Sequence, residues 1–187
     1  MIAPYLDISH VANSGWSSRT IEWFGAGGFS HVDIVVPDWY CDENRLPRGS
    51  LLGARSDAVG GRPPGVEIRP PGYEVWPKRL VLRVPCAPEK AEKAFRWATR
   101  QLHAPYDTPG LVSSFIFGRN WREEGAWWCS ELAVRMLEVG QIITELPVPY
   151  FKITPGDSAL VCSAAGGYPV SVDRARISLS PPRETVE

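Results

Sequence analysis

The sequence predicts an α+β domain, with strand-patterned segments between residues 30 and 84 and most of the helical ones after Pro88. Three observations carry this. Residues 30–36 (Ser-His-Val-Asp-Ile-Val-Val) alternate and are rich in β-branched side chains. Residues 79–84 (Arg-Leu-Val-Leu-Arg-Val) alternate in the same way. Beyond Pro88, the apolar residues Ala91, Ala94, Phe95, Ala98 and Leu102 recur at helical spacing.

Taken in order, residues 17–24 read as a short helix ended by the run Gly25-Ala26-Gly27-Gly28. The strand at 30–36 places His31, Asp33 and Val35 on one face and Val32, Ile34 and Val36 on the other. Pro37 ends it, and a polar loop leads to a second strand over residues 51–55. A turn-rich connector from Gly60 to Gly65 precedes a third strand at 66–69, and residues 79–84 are the fourth. Pro88 opens a helix that Pro105 stops, and residues 111–117 form a further short helix. A helix from about 128 to 139 is ended by Gly140. Thr154 and Pro155 have the pattern of a cap and first turn, opening a helix through residue 165. Past Gly166 the chain reads as irregular, as does the stretch around His10, and residues 181–187 read as frayed. No internal repeat or second domain is visible, so residues 1–187 are expected to form one domain with its core at about 28–165.

Composition excludes several function classes. Twenty Lys and Arg against twenty-one Asp and Glu leave a formal charge of −1, which argues against nucleic acid as a partner, because that needs a basic footprint. No apolar run approaches the ~20 residues of a membrane helix, so no membrane insertion is expected. The first residues lack the basic-then-apolar pattern of a secretory signal, and the expected location on synthesis is the cytoplasm. The four cysteines, Cys41, Cys86, Cys129 and Cys162, stand far apart with no C-x-x-C pair. Neither a metal nor any other cofactor is therefore expected. Cys86 and Cys162 read as small buried hydrophobes. Eight tryptophans and eighteen prolines suit loop-rich walls around a groove or an exposed partner surface, with Trp16, Trp39 and Trp76 as exposed candidates.

The chemistry concentrates on Cys129 and His31. A thiol becomes a useful nucleophile when a helix N-terminus and an imidazole stabilise its thiolate. No Ser, Thr, Asp or Asn lies between Gly125 and Cys129 to cap the helix, which leaves Cys129 in the first turn among free N–H groups. On the helical wheel Cys129, Leu132, Ala133, Met136 and Leu137 form one apolar stripe, while Glu131, Arg135 and Glu138 face outward. Glu131 is thus expected to pair with Arg135 at the surface and to be a poor catalytic residue. His31 has a strand to hold it, unlike His10 and His103. The plain alternative is a buried core cysteine and a satisfied strand histidine.

The segments Ser30-His31-Val32, Pro105-Tyr106-Asp107 and Cys129-Ser130-Glu131-Leu132, in that order and with strands and a helix between them, resemble the circularly permuted branch of the NlpC/P60 papain-like superfamily, the YiiX/YaeF-like group. The resemblance covers roughly residues 28–140. It implies a permuted papain-like fold, an antiparallel sheet packed against the cysteine-bearing helix, with Cys129 as nucleophile and His31 as general base. Chain order is reversed relative to ordinary papain-like enzymes, which leaves the dyad's geometry untouched. The family's third member, commonly a glutamate on the following strand, is missing: Gly53 or Ala54 stands where it is expected. Asp33, on His31's own face about 7 Å along the strand, and Asp57 are the two candidates to replace it. Arg55 is a candidate to bind a substrate carboxylate or to pair with Asp33. Tyr106 resembles a family tyrosine beside the nucleophile that shapes the pocket or helps bind the oxyanion.

The implied reaction is acyl transfer through a thioester, and the family's usual substrate is a cell-wall peptide, with acyl lipids as a second class in the permuted branch. Wall peptides lie outside the cytoplasm. Similar sequences occur in phages and prophages, which implies delivery as a phage tail component in contact with other tail proteins. Two further readings stay open: a non-catalytic tail or assembly protein that retains the fold, and an acyl-lipid hydrolase or acyltransferase.

Overall fold

Six strands lie side by side in one antiparallel sheet, in the order β4-β3-β2-β1-β5-β6. They are β1 (Tyr5–Ala12), β2 (His31–Val35), β3 (Leu51–Arg55), β4 (Gly65–Arg69), β5 (Lys78–Pro85) and β6 (Tyr168–Asp173). The helices among the described residues are α1 (Asp38–Asn44), α2 (Pro88–Thr99), α3 (Cys129–Val139) and α4 (Pro155–Ala164). The computed structural model describes residues 2–12, 28–108, 125–149 and 152–173. The helices expected at 17–24 and 111–117, Trp16 and the expected frayed end lie outside them.

Alternation along each strand decides which side chains meet the helices. Leu6, Ile8, Val32, Ile34, Leu52, Ala54, Val66, Leu82 and Val84 project to one face and join Ala91, Ala94, Phe95, Leu132, Met136 and Leu137 in the main core. Full burial of side chains such as Leu132 and Met136 contributes about 1.5–3 kcal/mol each. Helix α3 packs on β2 and β3 and is flanked by α2 and α4. On the opposite face Val11, Leu51 and Trp76 form a second, smaller cluster. Among the described residues no helix is long and apolar enough to cross a membrane.

Four expectations are corrected. The stretch around His10 is strand β1, paired with both β2 and β5. Its alternation was obscured because its outward polar groups are partnered: Arg83 grips Asp7 with two nitrogens, and Arg79 donates to Ser9 at 2.9 Å. The polar loop after Pro37 contains the seven-residue α1, which buries Cys41 and ends at Arg45 in the left-handed region (φ 55°). The segment past Gly166 forms β6 on the edge of β5, with a register irregularity between Val81 and Leu82. The outward face of the cysteine helix is also covered. Glu131 is 1% and Glu138 8% exposed, and α4 and the segment before it pack against this helix. Arg135 pairs with Glu138 instead of Glu131, and Glu138 also accepts from the Leu146 N–H.

Candidate active site

Strand β2 starts at His31, and the antiparallel register with β3 runs Ile34 to Leu52 and Val35 to Leu51. Continued towards His31, that register sets Asp33 opposite Gly53 and His31 opposite Arg55. His31 and Asp33 share one face, and their side chains meet: His31 Nε2 lies 2.9 Å from Asp33 Oδ1. A carboxylate only accepts, so Nε2 is the donor in this bond. Cys129 lies close enough to the same imidazole to favour its charged form. With Nε2 held by Asp33, Nδ1 is the nitrogen left for the sulfur.

Cys129 is the first residue of α3. Trp128 precedes it in extended conformation (φ −102°, ψ 167°) and gives no side-chain cap. The first helical hydrogen bond runs from Leu132 N to Trp128 O at 3.1 Å, which puts the Cys129 N–H at the open N-terminal end of the helix. Two ties hold this turn in place. Ser130 Oγ donates to the Ile153 carbonyl at 2.6 Å. Trp127 N donates to Pro105 O at 3.0 Å and Asp107 N to Trp127 O at 3.1 Å, a short parallel bridge that sets Tyr106 beside the start of α3. Cys129 is 7% exposed, and the His31 side chain 12%.

The electrostatics follow from these contacts. Burial opposes charge on His31, yet the Asp33 carboxylate and Cys129 raise its pKa to about 9. The imidazolium is therefore the favoured form near neutrality. Burial pushes Asp33 up, but His31, the Tyr73 hydroxyl and the nearby Arg55 bring it below its ordinary value. The Tyr106 phenol is pushed well above its ordinary value by burial first and by Cys129 second.

Of the two candidates for the third member, only Asp33 touches the imidazole. Asp57 binds Arg55 instead, with Nε to Oδ1 at 2.8 Å, and its carboxylate is 56% exposed. Arg55 does not pair with Asp33. It is held by Asp57, Glu74 and the Tyr73 hydroxyl, and its side chain is 10% exposed. Asp33 itself is 1% exposed and not a solvent-facing carboxylate.

Two residues of the site had gone unassigned. Gly53 stands opposite Asp33, and a Cβ built on it would run into Asp33 Oδ1. The side chain expected on this strand is absent, and Asp33 fills the space it would need. Cross-strand parity between Asp33 and Gly53 was a signal for it. Tyr73, from the loop after β4, donates to Asp33 Oδ2 at 2.7 Å, and nothing in the local sequence pointed there. Nor is Trp76 an exposed tryptophan: it is 2% exposed, inserted beside Val11 and Leu51.

The remaining histidines and thiols lie elsewhere. His10 is fully buried with Nε2 3.2 Å from Ser158 Oγ, and burial lowers its pKa to about 4. His103, 80% exposed, meets Glu67 at 2.9 Å. Cys41 and Cys162 are buried in the core, and burial raises them to about 11 and about 12. Cys86 is half-buried rather than buried. Among the described residues no group of three or more His, Cys, Asp or Glu has the arrangement to hold a metal ion. No family model, curated protein or solved structure matches the chain.

Proposed function

We propose that this chain is a cysteine hydrolase of permuted papain-like type that cleaves an amide bond in cell-wall peptide. The observation that carries the reading is the hydrogen-bonded His31–Asp33 pair set beside Cys129 at the N-terminus of α3. A nucleophile, a base and an orienting carboxylate in sequence are what acyl transfer requires. The Cys129 thiolate attacks the carbonyl carbon, and the carbonyl electrons move onto oxygen to give a tetrahedral oxyanion. The Cys129 N–H at the helix start stabilises this charge, and the neutral Tyr106 hydroxyl is placed to assist. His31 then delivers its proton to the leaving nitrogen as the C–N bond breaks, leaving a thioester. His31 next takes a proton from water, hydroxide attacks the thioester, and the Cys129 thiolate leaves. Asp33 keeps the imidazole aligned and offsets its positive charge throughout.

The non-catalytic reading drew on a missing carboxylate and on exposed tryptophans. Asp33 supplies the first, Trp76 is buried and Trp39 is partly buried against the core, which supports catalysis over that reading. Delivery to the wall as a phage tail component belongs to the same proposal and rests on the resemblance alone.

The test is digestion of purified peptidoglycan by the wild type and by Cys129→Ala, with products identified by mass spectrometry. Released peptides that need Cys129 support the reading. Inactivity on wall peptides with Cys129-dependent cleavage of acyl esters would establish the lipid hydrolase instead. Inactivity on both substrates would favour the structural protein.

A further inference from the structure

The segment at residues 70–77 crosses the sheet on the face opposite the helices. Trp76 anchors it against Val11 and Leu51, with the Arg79 guanidinium 5.7 Å from its ring centroid. Glu74 anchors it to β3 through Arg55. Between these anchors, Tyr73 is fixed on several sides. Its ring meets Trp76 edge-on with centroids 5.2 Å apart, and the guanidinium groups of Arg55 and Arg69 lie 5.7 and 5.9 Å from its centroid. Gly60, in the left-handed region at φ +63°, passes so close that a Cβ there would lie 2.8 Å from Tyr73 Cβ. The hydroxyl accepts from Arg55 Nη1 at 3.5 Å and donates to Asp33 Oδ2 at 2.7 Å. Thus Arg55 orders the phenol oxygen, and the phenol proton points at the carboxylate that holds His31.

We propose that Tyr73 is a positioning residue for His31, acting through Asp33: its hydroxyl fixes the carboxylate rotamer and takes up part of its charge. The functional meaning rests on the hydrolase reading, but the coupling is a property of the side chains themselves. Tyr73 and His31 hydrogen-bond the two oxygens of one carboxylate. The Tyr73 bond is strongest when His31 is neutral and Asp33 has no cationic partner. Tyr73 therefore eases the release of the His31 proton, the step on which leaving-group departure depends. Other charges act on the same pair. His10 on β1, Asp57 after β3 and Cys129 on α3 act on His31, while Arg55 and Arg69 act on Asp33. Removing only the Tyr73 hydroxyl leaves each of these groups in place.

The experiment follows the imidazole signals of the full-length, histidine-labelled chain by NMR against pH. His31 is assigned as the signal lost in His31→Gln. Tyr73→Phe is expected to raise the His31 midpoint by about half a pH unit or more. Incorporating 3-fluorotyrosine at position 73, a stronger donor of nearly the same shape, should lower it. In an Asp33→Asn background Tyr73→Phe should add little, since the path runs through the carboxylate. An unmoved midpoint in Tyr73→Phe, or an equal shift with Asp33→Asn present, would overturn the proposal. No turnover is needed for this readout. A chain that cleaves nothing yet shows the shifts refutes the hydrolase reading alone, and one that cleaves with His31 unmoved refutes the role of Tyr73 alone.

Discussion

The Asp33 carboxylate occupies the space that a side chain on Gly53 would need. The two residues face each other across β2 and β3, and Asp33 is almost fully buried with one oxygen on His31 and the other on Tyr73. A carboxylate on the histidine's own strand thus stands in for one expected on the next strand. Gly53→Ala forces Asp33 out of this position. The expected result is an about tenfold slower alkylation of Cys129 and a loss of about 1–3 kcal/mol in stability, the usual scale for overpacking. Iodoacetamide kinetics and urea melts measure both. Wild-type values for the two would contradict the packing relationship.

Asp33→Asn keeps the shape of the side chain and removes its charge. The His31 pKa should then fall from about 9 towards its ordinary 6.5, because the carboxylate is the principal group that favours the imidazolium. Cys129 reactivity at pH 7.5 should drop roughly ten- to a hundredfold, each lost unit of stabilisation being about a factor of ten. Asp57→Asn should change it less than about twofold, since that carboxylate is largely exposed and bonded to Arg55. A larger effect at Asp57 than at Asp33 would reverse the assignment of the orienting carboxylate.

Two histidines, His31 and His10, bend the pH dependence of stability in opposite directions. His31 has a folded pKa of about 9, above its ordinary 6.5, so its contribution is full below pH 6.5 and is lost as pH rises through 9. His10 has a folded pKa of about 4, so the unfolded chain binds the extra proton and stability is lost as pH falls from 6.5 to 4. Each effect is on the order of a few kcal/mol. Urea midpoints should therefore peak near pH 6.5. His10→Gln should flatten the acid side and Asp33→Asn the alkaline side. A midpoint that climbs steadily from pH 6.5 to 9 would contradict the charged state assigned to His31.

Much of this architecture was legible because local signals agreed with the tertiary outcome. Strand β3 coincides with the expected 51–55, and the Thr154 cap is a full capping box with Asp157. The apolar stripe of α3 was readable from spacing, and Cys129, Leu132, Ala133, Met136 and Leu137 are all buried. What was not legible depended on partners distant in sequence. Strand β1 carries Asp7, Ser9 and His10, which look like loop residues until Arg83, Arg79 and Ser158 are placed beside them. Glu131 sits on the polar side of its wheel yet is buried, because a wheel records spacing and not what packs against each face. At the site, parity put His31 and Asp33 on one face. That they would bond each other, and that Tyr73 would arrive from forty positions away, required the fold.

The most direct measurement of the central claim is competitive alkylation of the native protein by limiting iodoacetamide at pH 7, with adducts mapped by peptide mass spectrometry. The dyad predicts modification at Cys129 well ahead of Cys41, Cys86 and Cys162, with the preference abolished in His31→Ala. Equal labelling of the four thiols, or a Cys129 preference that survives loss of the imidazole, would contradict it.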